Sequence, residues 1–187
     1  PVATAVLQTD LMGQVEARLY RNRVNDLQYL ALVRGKPSPD VPTLVRVCGS
    51  NHWSDALTAF RTDHGPLLSR SMKLLGSQET AVLLYILRGF DPDSVLRELA
   101  DVATSVEGEA PVASRRGDPY PTAFRDYGLG AQVLKDLGVG KVRLLTNSGR
   151  RMASVAGYGI EIVENVPVPS EPGKPLSPLS ILEGGRS

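Results

Sequence analysis

The sequence predicts a mixed α/β fold of the α+β kind in one domain. Short apolar runs that read as strands alternate with stretches whose apolar residues recur at helical spacing. Glycine and proline stand where those stretches should stop or start. The chain of 187 residues is 42% hydrophobic, which is enough for one sizeable core.

In order, QVEARLYR and LQYLALVRG read as neighbouring strands and VPTLVRVCG as a third. GPLLSRSMKLLG has helical spacing, with Pro66 near its start and Gly76 at its end. TAVLLYIL is a buried strand. PDSVLRELADVATSV is an amphipathic helix with Asp91 or Asp93 as its N-cap. Residues 107–122, rich in Gly, Pro and charge, form a long loop, and loops of that length are often functional. RDYGLGAQVLKDLGVG is a helix with a glycine stop, KVRLLT a strand, NSGRRMASVAGYG a turn with a short helix, and IEIVENVPV a strand. The domain is expected to span 1–168, followed by a Pro/Ser/Gly-rich tail over 169–187.

Charge is balanced, with 21 basic and 20 acidic residues, so no broad basic face for nucleic acid is expected. The longest apolar run, AVLLYIL, is too short to cross a membrane. A single cysteine forms no intrachain disulfide, and the opening PVATAVLQTDLMG lacks the basic start of a signal peptide. A cytoplasmic protein acting on a small molecule is the expectation.

Two stretches carry candidate chemistry. LLTNSGRR, 144–151, runs from a strand through a turn into a helix, where free backbone N–H groups with Thr146, Arg150 and Arg151 suit an anion. The plain alternative is a capped helix with two solvated arginines. RVCGSNHWSDALTAFRTDHGP, 46–66, gathers the sole cysteine, Cys48, and both histidines, His52 and His64.

The stretch FRDYGLGAQVLKDLGVGKVRLLTNSGRRMASVAGYGIEIVENVPV, 124–168, resembles the C-terminal half of GTP cyclohydrolase II. VATAVLQTDLMGQVEA resembles that family's opening strand, and QYLALVRG and the segment from VRV to RTDHGP extend the likeness. The resemblance implies a mixed sheet with flanking helices and a homodimer. It also implies an activity in which zinc-bound water attacks C8 of guanine, formate leaves, and an arginine attacks the α-phosphate so that pyrophosphate leaves. The zinc lowers the pKa of its bound water.

The family's three zinc cysteines, in C-x10-C-x-C spacing, match Asn51, Thr62 and His64. The nucleophilic arginine matches Arg125, but the acidic residue two places before it is Ala123. The glycine-rich loop that contacts the nucleotide matches FDPDSVLR, 90–97, which keeps neither its glycines nor its arginine in place. The helix tyrosine falls at Val102. Arg46, Thr146, Asn147 and Arg151 stand at nucleotide-contact positions, and Asp55 at a family aspartate.

Three readings of the Cys/His stretch stay open: a rebuilt zinc site of Cys48, His52 and His64; proton transfer by His64 and Asp63, with Asp55 contributing; or packing and surface roles alone. The expectation is a zinc-independent relative without a resident cofactor. It would use elimination, isomerisation or ring closure on a nucleotide-derived or heterocyclic substrate. His64, Asp63, Arg125 and Asp55 would serve catalysis. Arg46, Thr146, Asn147, Arg150, Arg151 and Tyr120 would serve binding, with Asp118 a lesser contact. The alternatives are a true GTP cyclohydrolase II with rebuilt zinc, and a non-catalytic nucleotide-binding or partner protein.

Overall fold

The structure is a computed structural model that describes residues 1–22, 27–49, 64–87, 123–147 and 158–169, with backbone only at 64–66 and 123–127. Its strands are β1 (Ala3–Thr9), β2 (Gly13–Arg21), β3 (Gln28–Arg34), β4 (Thr43–Gly49), β5 (Ala81–Leu87), β6 (Lys141–Leu145) and β7 (Glu161–Val166). Its helices are α1 (His64–Gly76) and α2 (Ala123–Asp136). The expected helix over PDSVLRELADVATSV, the loop 107–122, the short helix after β6 and the tail beyond 169 lie outside the described residues.

All seven strands join one sheet in the order β1-β2-β3-β5-β4-β6-β7. β1, β2, β3 and β5 pair antiparallel, whereas β5, β4, β6 and β7 pair parallel. The stretch VATAVLQTDLMGQVEA folds as two strands, not one. β1 and β2 are joined by a turn that leads into Gly13 at φ 69°, a left-handed conformation that glycine adopts without a Cβ clash. β1 escapes a reading based on alternation because, as an edge strand, almost all of it is exposed.

Strand β5 is apolar on both faces, and the period of two sorts its side chains into two cores. Val82, Leu84 and Ile86 join Val45, Val142 and Leu144 under Ala131, Val133 and Leu134 of α2. Ala81 and Leu83 join Leu44, Leu145 and Val168 under Leu75 of α1, with Leu67, Leu68 and Met72 packed alongside. The two helices therefore cover opposite faces of the sheet.

Turns and one arginine close the edge where the parallel strands begin. Arg34 Nε donates to Gln78 O at 2.8 Å and Nη1 to Met12 O at 2.7 Å, tying the turn before β5 to the β1–β2 turn. α2 ends at Asp136 and gives way to a turn at Leu137 and Gly138, the latter at φ 82°, and β6 starts three residues later.

Tyr20 on β2 donates through its hydroxyl to Asp136 Oδ2 at 2.8 Å, at the end of α2. Partial burial and the hydrogen bond to Asp136 push the Tyr20 phenol up to about 12. The neutral phenol is thus favoured in the folded state. Its contribution is complete below the ordinary tyrosine value of 10.0 and is lost as pH rises through about 12. The urea midpoint of the wild type should fall over that window relative to Tyr20→Phe measured in parallel. Leu84→Ala, which empties a wholly buried site, should cost about 2–5 kcal/mol in urea unfolding.

Candidate active site

The four parallel strands end at one edge of the sheet. α1 leads into β5 through a short turn at the opposite edge, and α2 leads into β6 in the same way. Each helix therefore runs antiparallel to the strands beside it, so the starts of both helices lie toward the edge where β4, β5 and β6 finish. Chain leaving β4 goes on to α1 on one face, and chain leaving the adjacent β5 goes on to α2 on the other. Where neighbouring strands send their continuations to opposite faces, an open α/β sheet forms a crevice beyond the strand ends, and ligands bind there.

His64 opens α1, and Arg125 lies in the first turn of α2. The topology thus brings the segments bearing these two residues to the same edge from opposite faces. Asp55, Asp63, His52, Tyr120, Asp118, Arg150 and Arg151 lie outside the described residues.

Arg46 is defined in full. On β4 it alternates with Val45 and Val47, so it shares the α1 side with Leu44 and Cys48. Its Nη1 donates to Leu145 O at 2.9 Å, which turns the guanidinium toward the end of β6. Its Nε is buried and makes no hydrogen bond among the described residues. A buried guanidinium N–H without an acceptor is costly, and it suits a site that an anionic ligand completes.

Thr146 and Asn147 follow β6 directly. The Thr146 N–H donates to Val166 O at 2.8 Å, and the Val168 N–H donates to Asn147 Oδ1 at 2.8 Å. The Asn147 carbonyl therefore holds the chain after β7 in place, and Val168 is buried there. Asn147 has a structural task at the position where ligand contact was expected of it.

Sequence reasoning passed over Arg70, on α1, whose Nε is also buried without a partner among the described residues. A signal existed: this arginine interrupts the apolar pattern of LLSRSMKLL. It also passed over Tyr158, which precedes β7 and whose phenol lies against Gly128 of α2.

The zinc implied by the resemblance can be tested on donor chemistry. Its three thiolate positions carry an amide, an alcohol and an imidazole, at Asn51, Thr62 and His64. Structural and catalytic zinc sites draw on thiolate, imidazole and carboxylate, so this set does not fit the group. Cys48 is half-buried on β4 and packs against the α1-side core. Among the described residues, no three His, Cys, Asp or Glu side chains are grouped to hold a metal ion. No described helix is long and apolar enough to cross a membrane.

Comparison with known proteins identifies the scaffold. The riboflavin biosynthesis protein RibBA of Aquifex aeolicus (strain VF5) is 34% identical over 175 residues, covering 91% of this chain and 42% of that protein. RibBA of Bacillus cytotoxicus is 37% identical over 156 residues, covering 83% and 39%. The chain thus spans about two fifths of the length of these curated relatives. A crystal structure of Cfl2 from Burkholderia cenocepacia aligns over 76% of this chain and 45% of that one at 11% identity. Its TM-score of 0.30 is too low to describe a shared fold. The family model for GTP cyclohydrolase II matches residues 1–167, and with relatives of this identity the chain belongs to the GTP cyclohydrolase II family.

Proposed function

We propose that this chain is a zinc-independent member of its family. In this reading it binds an anionic, nucleotide-derived small molecule beyond the ends of β4, β5 and β6 and acts on it by proton transfer, not by hydrolytic ring opening. The observation that carries the reading is the donor set: Asn51 and Thr62 stand where two thiolates would be needed. Without a metal to acidify it, water is a poor nucleophile at neutral pH. Elimination, isomerisation or ring closure needs only a positioned acid and base, and an imidazole titrates in the useful range.

The roles divide by chemistry. Arg46, with a guanidinium N–H still to be satisfied, binds the anionic group, and Arg125, Arg150 and Arg151 add charge from neighbouring segments. His64 and Asp63 exchange the proton, and Asp55 assists. Tyr120 contacts the substrate from the segment before α2.

A second reading is favoured by the relatives' names. Proteins of riboflavin biosynthesis at 34% and 37% identity support GTP ring opening by this chain as well. It would need zinc held by a rebuilt set of Cys48, His52 and His64.

The deciding experiment measures zinc by elemental mass spectrometry on chelator-free protein, together with formate release from GTP. Under the first reading zinc is far below one per chain, formate is absent, and Cys48→Ser changes neither result. Stoichiometric zinc with formate release establishes the second reading. Binding without turnover of any nucleotide-derived compound would indicate a ligand-binding domain. Arg46→Ala should weaken binding of GTP or pyrophosphate by roughly 10- to 100-fold in calorimetry, and Arg46→Lys should restore only part of it, because a point charge does not replace the planar fork.

A further inference from the structure

The Nε–H group separates the described arginines into two kinds. Arg18, Arg34 and Arg143 each give this N–H to an acceptor: Glu16 Oε1 at 3.0 Å, Gln78 O at 2.8 Å and Glu164 Oε2 at 2.5 Å. Arg46 and Arg70 do not. In both, Nε is buried and has no partner among the described residues. A buried guanidinium N–H without an acceptor is costly, and here two of them occur on facing elements.

Arg46 points from β4 to the α1 side of the sheet. Arg70 lies on α1 three residues after Leu67 and four before Leu74, and both leucines pack on the α1-side core. α1 and β5 meet through the turn over residues 77–80, at the edge where the parallel strands begin. Counted from that edge, Arg70 is six residues up α1 from Gly76, a rise of about 9 Å. Arg46 pairs with Leu83, two residues up β5 from Ala81, a rise of about 7 Å. The two arginines are therefore close to level along the strand direction.

Their lateral placement agrees. α1 carries the chain from β4 to the parallel neighbour β5, and such crossovers are right-handed. With that hand, the flank of α1 that holds Leu67, Arg70 and Leu74 overlies β4 and β6, and the flank that holds Leu68 and Met72 overlies β5 and β3. Arg46 turns its guanidinium the same way, since Nη1 donates to Leu145 O at the end of β6.

These elements carry no counter-ion. α1, β4, β5 and β6 contain no Asp or Glu. On β7, Glu161 and Glu164 are exposed, and Glu164 is bonded to Arg143. Leu145 and Val168, buried in the α1-side core, make the surroundings apolar. Two cationic groups short of acceptors in such a place are complementary to an oxyanion. N–H groups arriving from a strand and from a helix approach in different directions. The diverging oxygens of a phosphoryl group meet them better than a planar carboxylate does.

We propose that Arg70 is a second anion-binding residue: with Arg46 it grips one phosphoryl group between α1 and the end of β6. This rests on the anion-binding reading of Arg46 above, and adds the chemical class of the anion and its second donor.

The test is calorimetric binding of inorganic pyrophosphate to wild type, Arg70→Met, Arg70→Lys, Arg46→Ala and the double variant Arg46→Ala/Arg70→Met, with urea unfolding of each in the absence of ligand. Methionine keeps much of the apolar stem of arginine and removes its donors. Arg70→Met should weaken pyrophosphate binding by about tenfold or more, and Arg70→Lys by less. The double variant should lose less than the product of the two single losses, because both residues hold one group. Without ligand, the urea midpoint of Arg70→Met should equal or exceed that of wild type, because an unsatisfied buried N–H has gone. Affinity of Arg70→Met within about twofold of wild type, with Arg46→Ala weakened, overturns the role of Arg70 and leaves the reading of Arg46 standing. A lower midpoint at that unchanged affinity makes Arg70 a structural residue. Losses that simply multiply place the two arginines at separate sites and also overturn the proposal. If wild type does not bind pyrophosphate, the anion-binding reading fails and this proposal with it. If Arg70→Met does not fold, Arg70→Lys decides: wild-type affinity overturns the proposal, and a loss that shrinks when combined with Arg46→Ala supports it.

Discussion

The structure depends on the burial of β5 from both sides. Val82, Leu84 and Ile86 require an apolar layer on one face, and Ala81 and Leu83 require one on the other. A strand with no polar face must lie inside a sheet that is covered twice. That requirement sends α1 and α2 to opposite faces. By the general rule for open α/β sheets, that separation makes the region beyond the ends of β4 and β5 the expected place for a ligand. The position proposed for the site thus follows from hydrophobic packing alone.

The two edges of the parallel half divide the work. At the edge where strands begin, connections are tight: Arg34 ties two turns through their carbonyls, and glycines let backbone pass within contact distance of Glu79, Leu11 and Pro39. A side chain added at Gly35, Gly76 or Gly140 would meet backbone, which cannot move aside easily. At the other edge, the chain after β4, β5 and β6 passes into connecting segments outside the described residues. The chain matches its family over residues 1–167, yet Asn51, Thr62 and His64 stand at the positions that the resemblance assigns to zinc ligands.

Polar groups at the ligand edge serve two purposes. Asn147 spends its carbonyl on the Val168 N–H, and Thr146 joins the β7 side through its backbone, so part of the expected binding surface is also a structural seam. Arg46 differs, because one guanidinium nitrogen is satisfied by Leu145 O while its buried Nε–H has no partner among the described residues. Charge-assisted hydrogen bonds are among the stronger polar contacts, and a fixed, half-satisfied guanidinium is prepared to make one.

The sequence by itself determined the element types and the two-sided core. Period-two alternation marks β2 and β3, the uninterrupted apolar run marks β5, and helical spacing with Pro66 and Gly76 marks α1, because these are local patterns of burial. Residue identity at Asn51 and Thr62, the positions that the resemblance assigns to thiolates, is also legible without the fold, since donor chemistry belongs to the side chain itself. Only the tertiary structure decided the strand order, in which β5 sits between β3 and β4, because pairing partners distant in sequence leave no local mark. It likewise decided that β1 is a separate exposed edge, that Asn147 is engaged by Val168, and that Tyr158 lies on Gly128. Each of these follows from an approach between segments that packing brings together, and no spacing along the chain records it.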